Sequence, residues 1–149
     1  MKQMRRADIP QYRASGSDRL ARLADYLENV PPGMLTFTRW YGDNRGCAIG
    51  LAITHDLWFQ AQGLTLVGGG TLKECRPEFE GRSEWLAVTQ FFEISLGNAL
   101  DLFTAAGYDG EMRPPAGAVA EKIRAHLATI DAGAEATVDA RADAEFAAA

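Results

Sequence analysis

Four residues of this sequence could supply nucleophilic or metal-ligating chemistry: Cys47, Cys75, His55 and His126. Cys47 follows a turn and is predicted to open a helix, where the positive end of the helix dipole would stabilise a thiolate nucleophile. Its general base would be His126 or His55. Because His55 lies eight residues further along the same predicted helix, about 12 Å away, it would reach Cys47 only through a break in that helix. These residues allow a cysteine-nucleophile hydrolase or transferase, although a small buried cysteine among alanines and glycines is the simpler interpretation.

The sequence patterns that would indicate binding of metal, phosphate or DNA are weaker than the one around Cys47. Cys47 and Cys75 lie 28 residues apart and neither belongs to a C-x-x-C pair, so no metal site and no cofactor are predicted. The glycine-rich run 68–73 lacks the spacing of a phosphate-binding loop and is interpreted as a turn. The segments Ser83–Phe92 and Ser95–Ala105 are similar to a helix-turn-helix, but the second offers a single amide side chain to base edges and carries an acid. Structural packing of these two helices is therefore the preferred interpretation.

The three tryptophans, Trp40, Trp58 and Trp85, could line a binding groove. In a chain of this size tryptophans belong more often to the core or its edge, and one that is exposed would mark an interface. The residues predicted to bind a partner are Trp40 and Trp58, together with Arg5 and Arg6 near the N-terminus.

The composition is that of a folded and mildly acidic protein. A chain of 149 residues with 47% hydrophobic and 23% charged residues is sufficient for one domain with its own core. The net charge of −5 argues against a nucleic-acid-binding body. The first residues lack the apolar region of a secretory signal, and no run of about 18 apolar residues occurs, so we expect a cytoplasmic protein without a membrane span. Reduced thiols are expected, and a Cys47–Cys75 bridge stays open as the alternative.

Charge and composition divide the chain into three predicted parts. Residues 1–16, with four bases and one acid, form a flexible basic arm. Residues 17–130 form a single helical domain. Residues 131–149, with five acids and one base, form a disordered acidic tail rich in Ala and Asp. Since the arm could contact phosphates, weak nucleic-acid binding through it is a further alternative function.

Hydrophobic periodicity predicts a mainly α fold, a compact bundle of about five helices. The first helix is predicted over Asp18–Asn29, with Ser17 as its N-cap and Arg19 outside its apolar stripe. Leu86 and Leu100 fall on the predicted inward faces of their helices. The remaining helices are predicted over Cys47–His55, Glu84–Phe92, Leu96–Ala105 and Ala116–Ile130, with a short helix capped by Asp56 after the second.

A minor two-stranded β element is the open question in this prediction. Leu35–Phe37 and Leu64–Val67 could form its strands, whereas residues 34–41 could equally contain a helical turn. Gly42–Gly46 is predicted as a turn. Residues 71–81, which contain Pro77, are predicted as a loop.

Three motifs occur in an order that resembles a known series. Gly46–Ala52 resembles C-A-[LI]-G-x-A, Phe91–Phe103 resembles F-F-x-[LI]-S…A-x-x-L-F, and Pro115–Leu127 resembles a closing P-x-x-V-A-x-R-I helix. The series resembles an uncharacterised family of small bacterial and phage proteins over most of the chain. The sequence departs from it at Glu93 and Asn98. The resemblance implies a shared fold and carries over no catalytic residue.

The leading hypothesis for function is a non-enzymatic protein-interaction module with a protein partner. It is based on the lack of a coherent catalytic set, a cofactor loop or a basic groove in the sequence. One concrete form would be a phage-associated or mobile-element accessory protein that binds and inhibits a host complex, such as an anti-CRISPR-type inhibitor. The enzyme based on Cys47 remains the rival hypothesis.

Overall fold

Six helices make up most of the described chain. The computed structural model describes residues 13–68 and 75–130, of which 54% are helical. The helices are α1 (Gly16–Leu27), α2 (Ala48–His55), α3 (Leu57–Ala61), α4 (Glu84–Phe92), α5 (Leu96–Phe103) and α6 (116–130), with a 3-10 turn at Ala105–Tyr108. The prediction of a mainly α fold is confirmed, and the chain contains more β structure than predicted.

Two small antiparallel sheets accompany the helices in the described ranges. The strands are β1 (Tyr41–Gly42), β2 (Arg45–Gly46), β3 (Thr65–Val67), β4 (Arg76–Phe79) and β5 (Arg82–Ser83). β1 pairs with β2, and the other three form a sheet in the order β3-β4-β5. The predicted pairing of Leu35–Phe37 with Leu64–Val67 is wrong, because β3 pairs with β4 instead.

The loop predicted over residues 71–81 is wrong where β4 occurs. Pro77 lies in the central strand opposite Leu66, although a proline cannot donate a hydrogen bond to a ladder and argues against a strand from sequence alone. Residues two apart share one face of a strand, and Pro77 and Phe79 are both buried. Burial of this apolar face stabilises the strand despite the missing donor.

Two of the β-hairpins, β1–β2 and β4–β5, turn through two residues with left-handed backbone. Asp43 and Asn44 have φ of 53° and 61° between β1 and β2, and Glu80 and Gly81 have φ of 49° and 80° between β4 and β5. Two consecutive left-handed residues match the twist of the flanking strands, and Asp, Asn and Gly tolerate this conformation best. The turn predicted at Gly42–Gly46 is therefore confirmed as a tight hairpin.

One hydrophobic core joins the helices and the three-stranded sheet. α4 packs against α1, α5, β4 and β5, and α1 also packs against α2. Among the described residues the largest fully buried side chains are Phe59, Phe91, Phe92, Phe103, Leu20, Leu23, Leu27, Ile49, Leu51, Ile53, Leu64 and Leu102. The predicted buried character of α2 is confirmed, since its residues 48–53 are all buried.

Helix α1 begins two residues earlier than predicted and buries a residue that was expected outside its apolar stripe. Its N-cap is Ser15, whose hydroxyl accepts a hydrogen bond from the backbone N–H of Asp18. Arg19 is only 4% exposed. Its guanidinium lies 4.3 Å from the ring centroid of Phe91 and donates to the Phe91 carbonyl oxygen at 2.9 Å. Burial lowers the pKa of Arg19. The long apolar stem and the aromatic neighbour explain why the core accepts this arginine.

Two leucines predicted to face inward are exposed. Leu86 on α4 is 60% exposed and Leu100 on α5 is 36% exposed. α4 buries Ala87, Val88, Phe91 and Phe92, a stripe that leaves Leu86 on its outer side.

Hydrogen bonds attach the first described residues to the rest of the domain. The backbone N–H of Ala14 donates to Oε1 of Gln62 at 2.9 Å, and that of Gly16 donates to Oε1 of Glu93 at 2.6 Å. Residues 13–16, which were predicted to belong to the arm, are therefore attached to α3 and α4. Within residues 13–68 and 75–130, no helix has the length and apolar character needed to cross a membrane.

Candidate functional site

An irregular segment between α1 and the first hairpin provides one wall of the candidate site. The backbone N–H of Thr36 donates to the Gly46 carbonyl oxygen at 2.9 Å, and Leu35 forms an isolated parallel bridge with Gly46. The N–H of Phe37 donates to the Met112 carbonyl oxygen at 2.8 Å, which links the segment to the approach to α6. These bonds hold residues 35–37 in place without forming a regular strand or helix, so of the range 34–41 only Tyr41, which begins β1, lies in a regular element.

Trp40 is positioned by two glycines. A Cβ at Gly46 or at Gly50 would overlap the carbonyl oxygen of Trp40, so only glycine allows the backbone of Trp40 to approach α2 this closely. The N–H of Cys47 donates to the same oxygen at 3.2 Å. The Trp40 ring, half-buried, lies 4.9 Å from the ring of Trp85 between centroids.

Trp85 comes from the start of α4. The residue before it, Glu84, has a left-handed φ of 56°, which turns the chain from β5 into the helix. Such a conformation costs a residue other than glycine about 1–2 kcal/mol and occurs often at functional sites. The turn leaves the Trp85 side chain half-buried beside Trp40.

The two tryptophans border a concavity of about 200 Å³, which we call the aromatic depression. Its lining residues are Phe37, Thr38, Arg39, Trp40, Cys47, Trp85, Phe103 and Thr104. Phe37 is supported from behind by Tyr108, whose ring centroid lies 5.4 Å away. Four of the eight lining residues are aromatic, and the others are two threonines, an arginine and a cysteine. The aromatic rings offer a contact surface for an apolar side chain.

A second concavity of about 270 Å³ adjoins the first and is rich in arginine. This arginine depression is lined by Thr36, Thr38, Arg39, Asp43, Arg45 and Arg113, so Thr38 and Arg39 belong to both depressions. Nη1 of Arg39 pairs with Asp43 at 3.2 Å, and Asp43 is the only acid in the lining, which lies wholly in the described residues. None of the ion pairs found in residues 13–68 and 75–130 involves Arg45 or Arg113.

This concentration of positive charge is unusual for the chain as a whole. The protein has 20 acidic and 15 basic side chains. Three guanidinium groups facing one carboxylate therefore create a local positive field on an acidic molecule. Guanidinium groups bind carboxylates and phosphates with paired hydrogen bonds, so the arginine depression suits an anionic group.

The predicted nucleophile lies at the aromatic depression. Cys47 is the N-cap of α2, as predicted, and is 5% exposed. His55 lies at the opposite end of α2, where its Nδ1 is 3.0 Å from the Leu51 carbonyl oxygen and 3.1 Å from the hydroxyl of Tyr26. His126 lies on α6. The lining of the aromatic depression, all of it described, includes no histidine and no carboxylate, so it brings no predicted base to Cys47.

The described residues contain neither a metal-binding group nor a disulfide. Residues 13–68 and 75–130 contain no group of three His, Cys, Asp or Glu side chains that could hold a metal ion. Cys75 is a half-buried free thiol, so no disulfide joins it to Cys47.

The predicted partner-binding residues Trp40 and Trp58 lie on different parts of the domain. Trp40 lines the aromatic depression, whereas Trp58 lies on α3 beneath the guanidinium of Arg22, 5.2 Å from the ring centroid. Arg5 and Arg6 lie outside the described residues.

Several site residues were missed by the sequence analysis. Trp85 is among the tryptophans that could line a groove but is not one of the residues predicted to bind a partner, and Arg39, Arg45 and Arg113 are not predicted as site residues. The turn at Gly42–Gly46 was the available signal for the first two arginines, because a hairpin brings its two strands together. No local signal placed Arg113 there, since it follows α5 in the chain and reaches the site only through the fold.

Comparisons of the chain with protein-family models, with curated proteins and with solved structures find no match. The resemblance to small bacterial and phage proteins therefore stays a prediction.

Proposed function

We propose that this chain is a protein-interaction module that receives an acidic segment of a partner protein in the aromatic and arginine depressions. The observation that carries the proposal is the junction of the two depressions at Thr38 and Arg39. A cavity bordered by Trp40 and Trp85 adjoins a cluster of three arginines in a chain with an excess of acids.

The residue types at this junction are those that contribute most to protein interfaces. Tryptophan and arginine are enriched among the residues whose loss costs the most binding free energy, and these residues cluster in well-packed pockets. The two tryptophans offer a cavity for one apolar side chain, and the arginines offer hydrogen bonds to carboxylates. Charge complementarity of this kind raises the association rate and selects an acidic partner over a basic one.

The first experiment is quantitative affinity purification with the full chain and two tryptophan variants. Trp85→Ala opens the aromatic depression, and Trp58→Ala is the matched control because Trp58 is also half-buried but lies on α3. We expect a partner that is retained by wild type and by Trp58→Ala and is reduced at least about tenfold by Trp85→Ala. A partner that is lost equally from both variants, or from neither, would contradict the proposal.

A second variant separates lost binding from lost folding. Thr38 is exposed and lines both depressions, so Thr38→Glu adds negative charge at the junction. Its hydroxyl also forms a hydrogen bond with that of Thr36, so Thr38→Gln, which loses the same bond and adds no charge, is the control. Both variants are expected to unfold at the same urea concentration, whereas only Thr38→Glu should lose the partner.

The more specific expectation, a mobile-element protein that inhibits a host complex, stays a prediction. The same is true of the Cys47 enzyme, of nucleic-acid binding by the arm and of the cytoplasmic location.

A further inference from the structure

A third concavity, of about 330 Å³, adjoins the arginine depression at Arg113. Its walls contain two proline pairs, Pro31-Pro32 after α1 and Pro114-Pro115 before α6, with Val30 and Leu35 beside them. We call it the proline depression. Because proline fixes its own φ, these walls are stiff, and their surface is largely apolar.

Neighbouring depressions share lining residues. Arg113 lines both the proline and the arginine depressions, and Arg39 lines both the arginine and the aromatic depressions. Consecutive residues pass from one to the next, since Leu35 lines the proline depression, Thr36 the arginine depression and Phe37 the aromatic depression. We call the three together the groove, with the aromatic and proline depressions at its ends and the arginine depression between them.

The groove matches a short peptide in length. The stretch from Leu35 to Thr38 spans at most about 10 Å, so a ligand of about four to six extended residues would reach all three depressions. A tryptophan-walled cavity at one end and a proline-walled cavity at the other suit two apolar side chains, and guanidinium groups between them suit one or two carboxylates.

The charges favour a peptide over a nucleic acid. A single strand would place a phosphate at every nucleotide, yet the proline depression is mainly apolar and Asp43 lies among the arginines. The net charge of −5 would also repel a polyanion that extends beyond the groove. A peptide whose acids lie only in its centre would place no charge in the proline depression and would be short enough to avoid repulsion by the rest of the protein.

We infer that the partner segment is a short extended peptide in which one or two acidic residues lie between two apolar anchors, and that Arg45 and Arg113 select those acids. This inference rests on the proposed function, because it names the ligand of the same surface. Arg45 and Arg113 are exposed and take part in none of the ion pairs of the described chain, so their guanidinium groups are available to a ligand.

A displayed library of random peptides of about eight residues tests the inference. The library is selected on the full wild-type chain and, separately, on the double variant Arg45→Glu/Arg113→Glu. On wild type we expect Asp or Glu in the centre, with an aromatic or large apolar residue on one side and an apolar residue or proline on the other. On the double variant we expect the central acids to be replaced by Lys or Arg, because the charge of the site is reversed.

The strongest wild-type peptide is then measured by fluorescence anisotropy. We expect the double variant to bind it at least about tenfold more weakly, since each exposed charge pair contributes a few-fold and reversal adds repulsion. The double variant Arg76→Glu/Arg82→Glu is the matched control, because both arginines are exposed and line none of the three depressions. The control should bind as wild type does, and urea unfolding of all variants checks their folding.

The possible failures are distinguishable. Acidic peptides that depend on Trp85 but carry their acids outside the centre, or that bind the Arg45/Arg113 variant equally, would overturn the inference and leave the proposed function intact. Trp85-dependent peptides without acids would contradict both. Peptides that bind Trp85→Ala as well as wild type would contradict the proposed function itself. Tighter binding of a short oligothymidylate, weakened by the same arginine changes, would reassign the groove to nucleic acid. A peptide of residues 139–149 that outcompetes the best library peptide would reassign it to the chain's own acidic end.

Discussion

Replacing Gly50 by alanine should disturb the candidate site from its buried side. A Cβ at Gly50 would overlap the Trp40 carbonyl oxygen and lie 2.7 Å from the Trp40 carbonyl carbon, where ordinary contact begins at 3.4 Å. The carbonyl oxygen lies closer still, so the segment that carries Trp40 must move away from α2 by more than about 1 Å. Overpacking of this kind costs about 1–3 kcal/mol, and the higher helix propensity of alanine returns at most about 1 kcal/mol. We expect a net loss of about 1–2 kcal/mol in the free energy of unfolding.

Urea unfolding followed by tryptophan fluorescence measures this loss, and Gly97→Ala is the control. A Cβ at Gly97 would meet only the hydroxyl of Ser95, at 3.9 Å, so the same substitution on α5 should be neutral or slightly stabilising. Because Trp40 moves, Gly50→Ala should also weaken binding at the aromatic depression, whereas Gly97→Ala should not. A Gly50→Ala protein that is as stable as the Gly97→Ala protein would refute the assigned contact between α2 and Trp40.

Three further predictions concern other parts of the chain. Lys122→Met should lower the free energy of unfolding by about 1–2 kcal/mol in urea, because Nζ of Lys122 donates to two backbone carbonyl oxygens at the end of α5 and in the following turn; unchanged stability would contradict this. Burial raises the pKa of Asp56, but hydrogen bonds from Arg22 and a backbone N–H outweigh it and leave the pKa below its ordinary value. The stabilisation from Asp56 is therefore complete above about pH 4 and is lost as the pH falls through the folded-state pKa. Urea midpoints measured between about pH 2 and 5 should fall more steeply for wild type than for Asp56→Asn, and parallel curves would disprove the coupling. Iodoacetamide should alkylate Cys75 before Cys47, since Cys47 is 5% exposed; the reverse order, read by mass spectrometry, would favour the Cys47 nucleophile.

The helices were predictable because their signals are local. Ser95 caps α5 through a hydrogen bond from the N–H of Asn98, and Asp56 caps α3 through one from Trp58, both as the residue types indicate. α4 begins and ends at the predicted residues Glu84 and Phe92. α6 likewise covers the predicted residues 116–130, directly after Pro114-Pro115.

The errors arise where tertiary contacts override local preference. Pro77 argues against a strand, yet its buried face holds β4 in the centre of a sheet. Arg19 has the charge of a surface residue, but the ring of Phe91 and its carbonyl oxygen provide a partner that the sequence of α1 does not reveal. Propensity and periodicity describe one element at a time, so they cannot predict such contacts.

The candidate site was predictable only in part for the same reason. Trp40 was proposed as a binding residue and does line the aromatic depression. Trp40 lies in an irregular segment, its neighbour Trp85 lies on α4, and Arg113 follows α5. The groove exists because the fold brings these residues together. Their spacing in the sequence matches no motif, so the sequence alone does not predict that they lie side by side.

Hydrogen exchange of the full chain, measured by mass spectrometry with and without the captured partner, tests the central claim most directly. If the groove is the binding surface, the partner should slow exchange in residues 35–46 and in the first turn of α4, which carry Trp40, Arg45 and Trp85. Exchange in α3 and in β3–β5 should not change. Protection confined to α3 and the three-stranded sheet, with residues 35–46 exchanging as in the free chain, would contradict the account.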